Sequence, residues 1–173
     1  MSRSTVRAQM AGWLTAAAIP GLNKVFPAAP LLITGQDWAP VAPSTAGACA
    51  FIHLDLADRT RISLGGPNSG IKKVVYTTSI VVIYRYMISG AEAGDVTAWV
   101  DPYETIIDNL VARIEQDRTF GGGATGPIWQ AGEGDPNGAP ADIRLASDLP
   151  TVDSGQAEVW SRIELTVVEM VNT

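Results

Sequence analysis

Cys49, His53 and Asp55 fall within seven positions of one another. A thiol, an imidazole and a carboxylate are the groups of a cysteine nucleophile, its base and the acid that orients the base. Residues 47–56, GACAFIHLDL, alternate as a strand. Ala48, Ala50, Ile52, Leu54 and Leu56 take one face, and Cys49, Phe51, His53 and Asp55 the other. Sharing a face is not enough for catalysis. Strand positions four apart are separated by about 13 Å, whereas a nucleophile and its base need hydrogen-bond reach of about 3 Å. The spacing therefore predicts a small apolar cysteine and a partly buried histidine. His53 is the only histidine, and no G-x-S-x-G element accompanies it, so a Ser-His-Asp triad has no foundation either.

Other chemistry-bearing patterns fail on similar grounds. Residues 65–72, GGPNSGIK, approach a phosphate-binding loop, but Ile71 separates the last glycine from Lys72 and a strand pattern follows where a helix is required. Gly132-x-Gly134 is interrupted by Pro136 and follows no long strand, so it is no dinucleotide fingerprint. Asp135 and Asn137 lack the rest of a calcium loop. Glu164 and Glu169 project from opposite faces of one strand and cannot act as a carboxylate pair. One cysteine excludes a disulfide framework within the chain and a multi-cysteine metal site. The five tryptophans (Trp13, Trp38, Trp99, Trp129 and Trp160) have no basic groove beside them and read as core or protein-interface residues. The expectation is no enzyme: no catalytic, cofactor-binding or metal-ligating residue, and no cofactor.

Composition sets the frame. The chain has 173 residues, 46% hydrophobic and 17% charged, which suits one folded domain spanning 1–173 and excludes a disordered chain. No apolar run reaches the ~18 residues of a membrane span, and MSRSTVRAQM carries no signal-peptide core. A single thiol fits a reducing compartment. The net charge of −6 argues against specific DNA or RNA binding, which needs a basic footprint. The charge is also polarised. Residues 1–100 hold eight Lys/Arg and five Asp/Glu, net +3; residues 101–173 hold four and thirteen, net −9. The division reads either as ordinary solvated faces or as a polarised subunit whose basic surface meets an acidic surface on a neighbour.

The elements follow from pattern. Residues 4–19 place Val6, Met10, Trp13 and Ala17 on one helical stripe behind Ser4 as N-cap, closed by Pro20-Gly21. Five prolines make 20–46 an extended connection, with short strands expected near 24–26 and 31–34. Two long strand patterns, 47–63 and 71–88, flank the 65–70 turn cluster and predict an antiparallel hairpin. The second strand is far longer than the usual five or six residues, so the hairpin tip, 57–73, is expected to project. That tip carries Arg59, Arg61, Lys72 and Lys73. Residues 95–118 read as helical, in one or two pieces, with Asp101-Pro102 as a start signal and an apolar stripe of Tyr103, Ile106, Ile107, Leu110, Val111 and Ile114. Gly/Pro-rich loops occupy 119–140, with a short strand at 128–130. Residues 141–147 and 157–171 alternate as strands. The order predicts an α+β fold: a single antiparallel β-sheet, two helices packed on one face, and a long projecting β-hairpin.

This plan resembles the tail terminator, or tail completion, proteins of long-tailed bacteriophages, the lambda tail terminator group. The resemblance rests on the helix STVRAQMAGWLTAAAI, the Pro-rich segment, the strands ACAFIHLDL and VVYTTSIVVIYRYMI, the helix DVTAWVDPYETIIDNLVARI and the final strand VWSRIELTVVEM. It covers most of the chain; family members tend to be shorter, and 119–140 looks like added loop length. The resemblance implies an α+β subunit of a homohexameric ring on the last disc of the tail tube. Such a ring halts tube growth and offers a docking face to the head–tail connector protein. It implies self, tail tube protein and connector as partners, DNA only passing through the bore, no membrane, and a place at the head-proximal end of the virion tail. It carries no catalytic residues. The basic tip, Arg59, Arg61, Lys72 and Lys73, is then the expected contact, with either the acidic 101–173 side of the adjacent subunit or the tail tube as its partner. Two other readings stay open on sequence: another head–tail joining or tail tube protein, and a small-molecule-binding domain or enzyme using a pocket between sheet and helices.

Overall fold

The computed structural model describes residues 3–38, 46–61, 70–88, 97–123, 126–128, 130–131, 143–153 and 155–172. The elements run α1 (Arg3–Ala16), β1 (Leu22–Phe26), α2 (Gly35–Trp38), β2 (Ala46–Arg61), β3 (Ile71–Met87), α3 (Thr97–Gln116), β4 (Gln130–Ala131), β5 (Arg144–Ser147), β6 (Thr151–Asp153) and β7 (Gln156–Asn172). Helices and one sheet combine into the α+β fold that the patterns predict. The sheet order is β1-β2-β3-β7, with β4, β5 and β6 aligned along the far side of β7.

The sheet is mixed, which corrects the expectation of a purely antiparallel one. β1 pairs with β2 in parallel. After α1 the chain turns at Ala18 (φ 48°) and Gly21 (φ 80°) and enters the sheet at once. Residues 27–45 separate the two strands in the sequence, a separation long enough for the chain to return in the same direction, as parallel pairing requires. A Cβ on Gly21 would lie 2.9 Å from Ile106 Cδ1, so glycine here permits both the turn and the close approach of α3. The strand expected at 31–34 is absent. That segment leads into α2, where the Asp37 carboxylate accepts hydrogen bonds from the Thr34 backbone N–H and hydroxyl, a local alternative to strand pairing.

α3 is one helix from Thr97, with Pro102 inside it. Asp101 is therefore not its cap. Proline costs the helix one backbone hydrogen bond, and the first turn persists because Trp99 packs on Tyr103, ring centroids 6.4 Å apart.

One face of the sheet meets both helices. Ala48, Ala50, Ile52 and Leu54 of β2, Val74, Tyr76, Ile80, Val82 and Tyr84 of β3, and Val159, Ile163, Leu165 and Val167 of β7 form one apolar cluster. Val6, Met10 and Leu14 of α1 and Ile106, Ile107, Leu110 and Ile114 of α3 belong to it. The alternation in β3 and β7 and most of the α3 stripe thus select the faces that the sequence predicts, whereas α1 is turned slightly from its expected stripe: Ala11 and Leu14 are buried with Val6 and Met10, and Trp13 and Ala17 are only partly buried. In β2 the alternation breaks. The register shifts between Leu54 and Leu56, leaving Asp55 as a bulge. Beyond it, Ala57 and Arg59, not Leu56, take positions opposite the core-facing Tyr76 and Val74.

The long strands do not make a free two-stranded arm in the described residues. β2 pairs with β3 out to Arg61↔Lys72, and β7 accompanies β3 along the same stretch, from Met87↔Gln156 to Ile71↔Asn172. The distal part is three strands wide, with Val74 and Tyr76 buried. β7 supplies this cover along β3, where the pattern of β2 and β3 alone predicts a projecting pair. The turn itself, 62–69, lies outside the described residues.

Candidate interaction surface

The four basic residues expected at the hairpin end do not act as one group. Arg59 and Lys72 are exposed. Arg61 stands opposite Lys72 in the strand register. Lys73 points to the sheet's other side and is only 7% exposed. Alternation across a strand separates neighbours 72 and 73 by necessity; Lys73 therefore leaves the expected surface.

Behind the basic end sits a buried polar pair that sequence reading missed. Glu169 is fully buried, and the Tyr76 hydroxyl donates to its Oε2 at 2.7 Å. Arg59 occupies the same cross-strand row as Glu169, through Val74. A strand pattern assigns Glu169 to one face but cannot tell that the face is covered there. Burial and the bond to Glu169 push the Tyr76 phenol up to about 12 from 10.0. The unfolded chain releases this proton near pH 10, while the folded chain keeps it to about 12. In that window the unfolded state binds fewer protons, so stability falls as pH rises. Tyr76→Phe is expected to lose about 1.5–3 kcal/mol at neutral pH, the worth of a hydrogen bond to a charged group. It is also expected to flatten the decline of stability between pH 10 and 12 in denaturant titrations. An unchanged slope would refute this assignment.

The Cys-His-Asp candidate dissolves on geometry. Cys49 is 1% exposed and its Sγ lies 3.4 Å from the Asp37 carbonyl oxygen. Burial, with the nearby Asp37 charge, pushes the thiol up to about 11, the reverse of an activated nucleophile. His53 is exposed, not partly buried. Its Nε2 lies 2.9 Å from Asp55 Oδ1, and Ser79 Oγ donates to Asp55 Oδ2 at 2.8 Å. The bulge at Asp55 brings these three side chains together, but the carboxylate stands between serine and imidazole. The serine proton is thus directed to Asp55, with the imidazole on the carboxylate's other oxygen, and a relay in the Ser-His-Asp order is not formed.

Four of the tryptophans now have settings. Trp13 lies under the Arg113 guanidinium at 3.4 Å and donates its indole N–H to the Arg113 carbonyl, joining α1 to α3. Trp38 underlies Arg85, which ion-pairs with Glu158 at 2.7 Å. Trp99 packs on Tyr103, while Trp160 is exposed. The phosphate-loop-like 65–69, the Gly132–Gly134 pair, Asp135, Asn137 and Trp129 lie outside the described residues.

Loop 117–123 is fastened to α1. Gln9 Nε2 donates to the Thr119 and Phe120 carbonyl oxygens. The Asp117 carboxylate accepts from the backbone N–H groups of Thr119 and Gly121 and is held below the usual carboxylate range, chiefly by Thr119. At Gly121 (φ 73°) a Cβ would meet the Trp13 ring at 2.7 Å.

The remaining feature is apolar exposure. Leu31 and Leu32 are exposed between β1 and α2, and Leu145, Leu149, Val152 and Trp160 are exposed along β5, β6 and β7. The second group follows the β5 and β6 side of the sheet, whereas Leu31 and Leu32 lie in the segment after β1, the strand at the opposite edge. Among the described residues, no group of three or more His, Cys, Asp or Glu is placed to hold a metal ion, and no helix is long and apolar enough to cross a membrane. A scan against protein-family models and a search of curated proteins found no match to this chain.

Proposed function

We propose that the chain is a tail terminator of a long-tailed bacteriophage, a subunit of a ring that closes the tail tube and receives the head connector. The observation that carries this reading is the use of the C-terminal strand. β7 enters the sheet's interior beside β3 along its whole length, while the N-terminal helix and α3 contribute to one core with that sheet. This is the element order on which the resemblance rests. The candidate chemistry at Cys49 and His53 supplies no activated nucleophile, which weighs toward an assembly role over an enzyme. The exposed apolar groups, Leu31 with Leu32 and Leu145 with Leu149 and Val152, give such a subunit surfaces to bury.

The reading predicts one closed assembly. At 18.3 kDa per chain, six copies weigh about 110 kDa. Native mass spectrometry across rising concentration, alone and with tail tube protein, is expected to reveal a single species of that mass. Monomer under both conditions would overturn the reading. An open-ended series of masses would point to a tube protein instead.

A further inference from the structure

We propose that the two edges of the sheet are the subunit contact: the β5–β6 edge of one copy pairs with the β1 edge of the next. The inference deepens the ring reading and rests on it only for closure into a ring.

Isolated exposed apolar residues are ordinary on a protein surface; grouping them is not. Here Leu145 (54% exposed), Leu149 (88%) and Val152 (65%) line one edge, and Leu31 and Leu32 (74%) lie in the segment that joins β1 to α2. Among the described residues no strand lies outside β1, β5 or β6. Edge strands present backbone N–H and C=O groups that a further strand can satisfy.

Strand direction permits the match. β1 runs with β2, β2 against β3, β3 against β7, and β7 against β5 and β6. β1 and β5 therefore run in opposite senses. If a second copy continues the sheet, β5 of one meets β1 of the other antiparallel, the more stable arrangement. Apolar contact is available on both sides of that seam. Leu145 and Val152 hold register positions opposite Ile163 and Ala157 on the helix side, whereas Trp160 is opposite Ile83 on the other side.

Charge selects the unlike edge over the like one. Residues 144–160, from the start of β5, contain Asp148, Asp153 and Glu158 against Arg144 alone, net −2. Residues 22–38, β1 and the segment after it, contain Lys24 against Asp37, net 0. Glu158 and Lys24 are already paired, with Arg85 and Asp37, so the preference is one of fields more than of single bridges. Joining two β5–β6 edges would set −2 against −2, a repulsion that the neutral β1 edge does not bring. Joining unlike edges is heterologous, the type of contact that generates rings. Pro27 and Pro150 beside the edge strands limit the backbone pairing to a short stretch, which suits a defined contact over a spreading ladder.

The test is cross-linking. In a Cys49→Ala background, Leu32→Cys and Leu149→Cys are made in separate batches; both sites are exposed, so folding is unaffected. A short bismaleimide is expected to join the two variants when mixed, and neither with itself. A chain carrying both cysteines is expected to give a ladder ending at a closed species. Separately, Leu149→Asp with Val152→Asp is expected to raise the concentration needed for assembly tenfold or more. A ring by native mass without the mixed cross-link would overturn this contact and leave the ring reading standing. The mixed cross-link in open chains of no fixed size would uphold the contact and overturn the ring. Like-with-like cross-links only, or a monomer that forms none, would overturn the contact.

Discussion

Leu110→Ala is expected to cost about 2–5 kcal/mol and to lower the melting temperature by roughly 4–20 °C for a chain of this size. Leu110 is fully buried on α3, within the cluster that takes in α1 and the helix-facing side of β2, β3 and β7. Removing its branched end takes apolar atoms from the core between the helices and the sheet. A cavity there cannot close easily, because the cluster's other members are fixed on α1 and on central strands. Asp108, exposed on the same helix, serves as control. Asp108→Ala is expected to change stability by under about 0.5 kcal/mol. Equal and small effects of the two substitutions in thermal unfolding would mean that α3 does not present this face to the sheet.

Much of this core was legible because strand and helix periods write burial directly into sequence. Ile80, Val82 and Tyr84 alternate, as do Ile163, Leu165 and Val167, and each set faces inward as its period requires. The departures share a cause: contacts between residues remote in sequence override local pattern. The bulge at Asp55 shifts the inward set in β2, and no alternation can announce an extra residue. The β1–β2 pairing depends on where a long proline-rich connection returns. Pro102 reads as a helix start until Trp99 is placed on Tyr103. For the candidate surface, composition identified the basic end but not the separation of Lys72 from Lys73, nor the cover that β7 gives to β3. The exposed apolar groups were not legible at all. Leu31, Leu32, Leu145 and Leu149 look like core residues in any count of hydrophobic content, and only the folded chain reveals them as exposed.

Reversing charge at the basic end of β2 and β3 is expected to abolish tube capping while sparing the fold. Arg61→Glu with Lys72→Glu alters two positions opposed in the strand register. Lys72 is exposed, and exposed charge changes usually cost under about 0.5 kcal/mol. Arg59 is the poorer choice, because it shares a row with buried Glu169 and an added carboxylate there would disturb the core. Lys73 is unsuitable for the same reason, being buried itself. If this end grips an acidic surface of the tube or of a neighbouring subunit, two reversals turn attraction into repulsion. Raised salt should weaken the wild-type contact in parallel, since exposed charges are screened over about 8–10 Å at physiological ionic strength.

The decisive measurement is tube growth followed by electron microscopy, with tail tube protein polymerising in the presence of this chain. The wild type is expected to place a single ring at one end of each tube and to stop further lengthening there. The Arg61→Glu, Lys72→Glu variant, still folded by circular dichroism, is expected to leave tubes growing. Tubes that lengthen equally with and without the wild-type protein, bearing no ring at either end, would refute the terminator role.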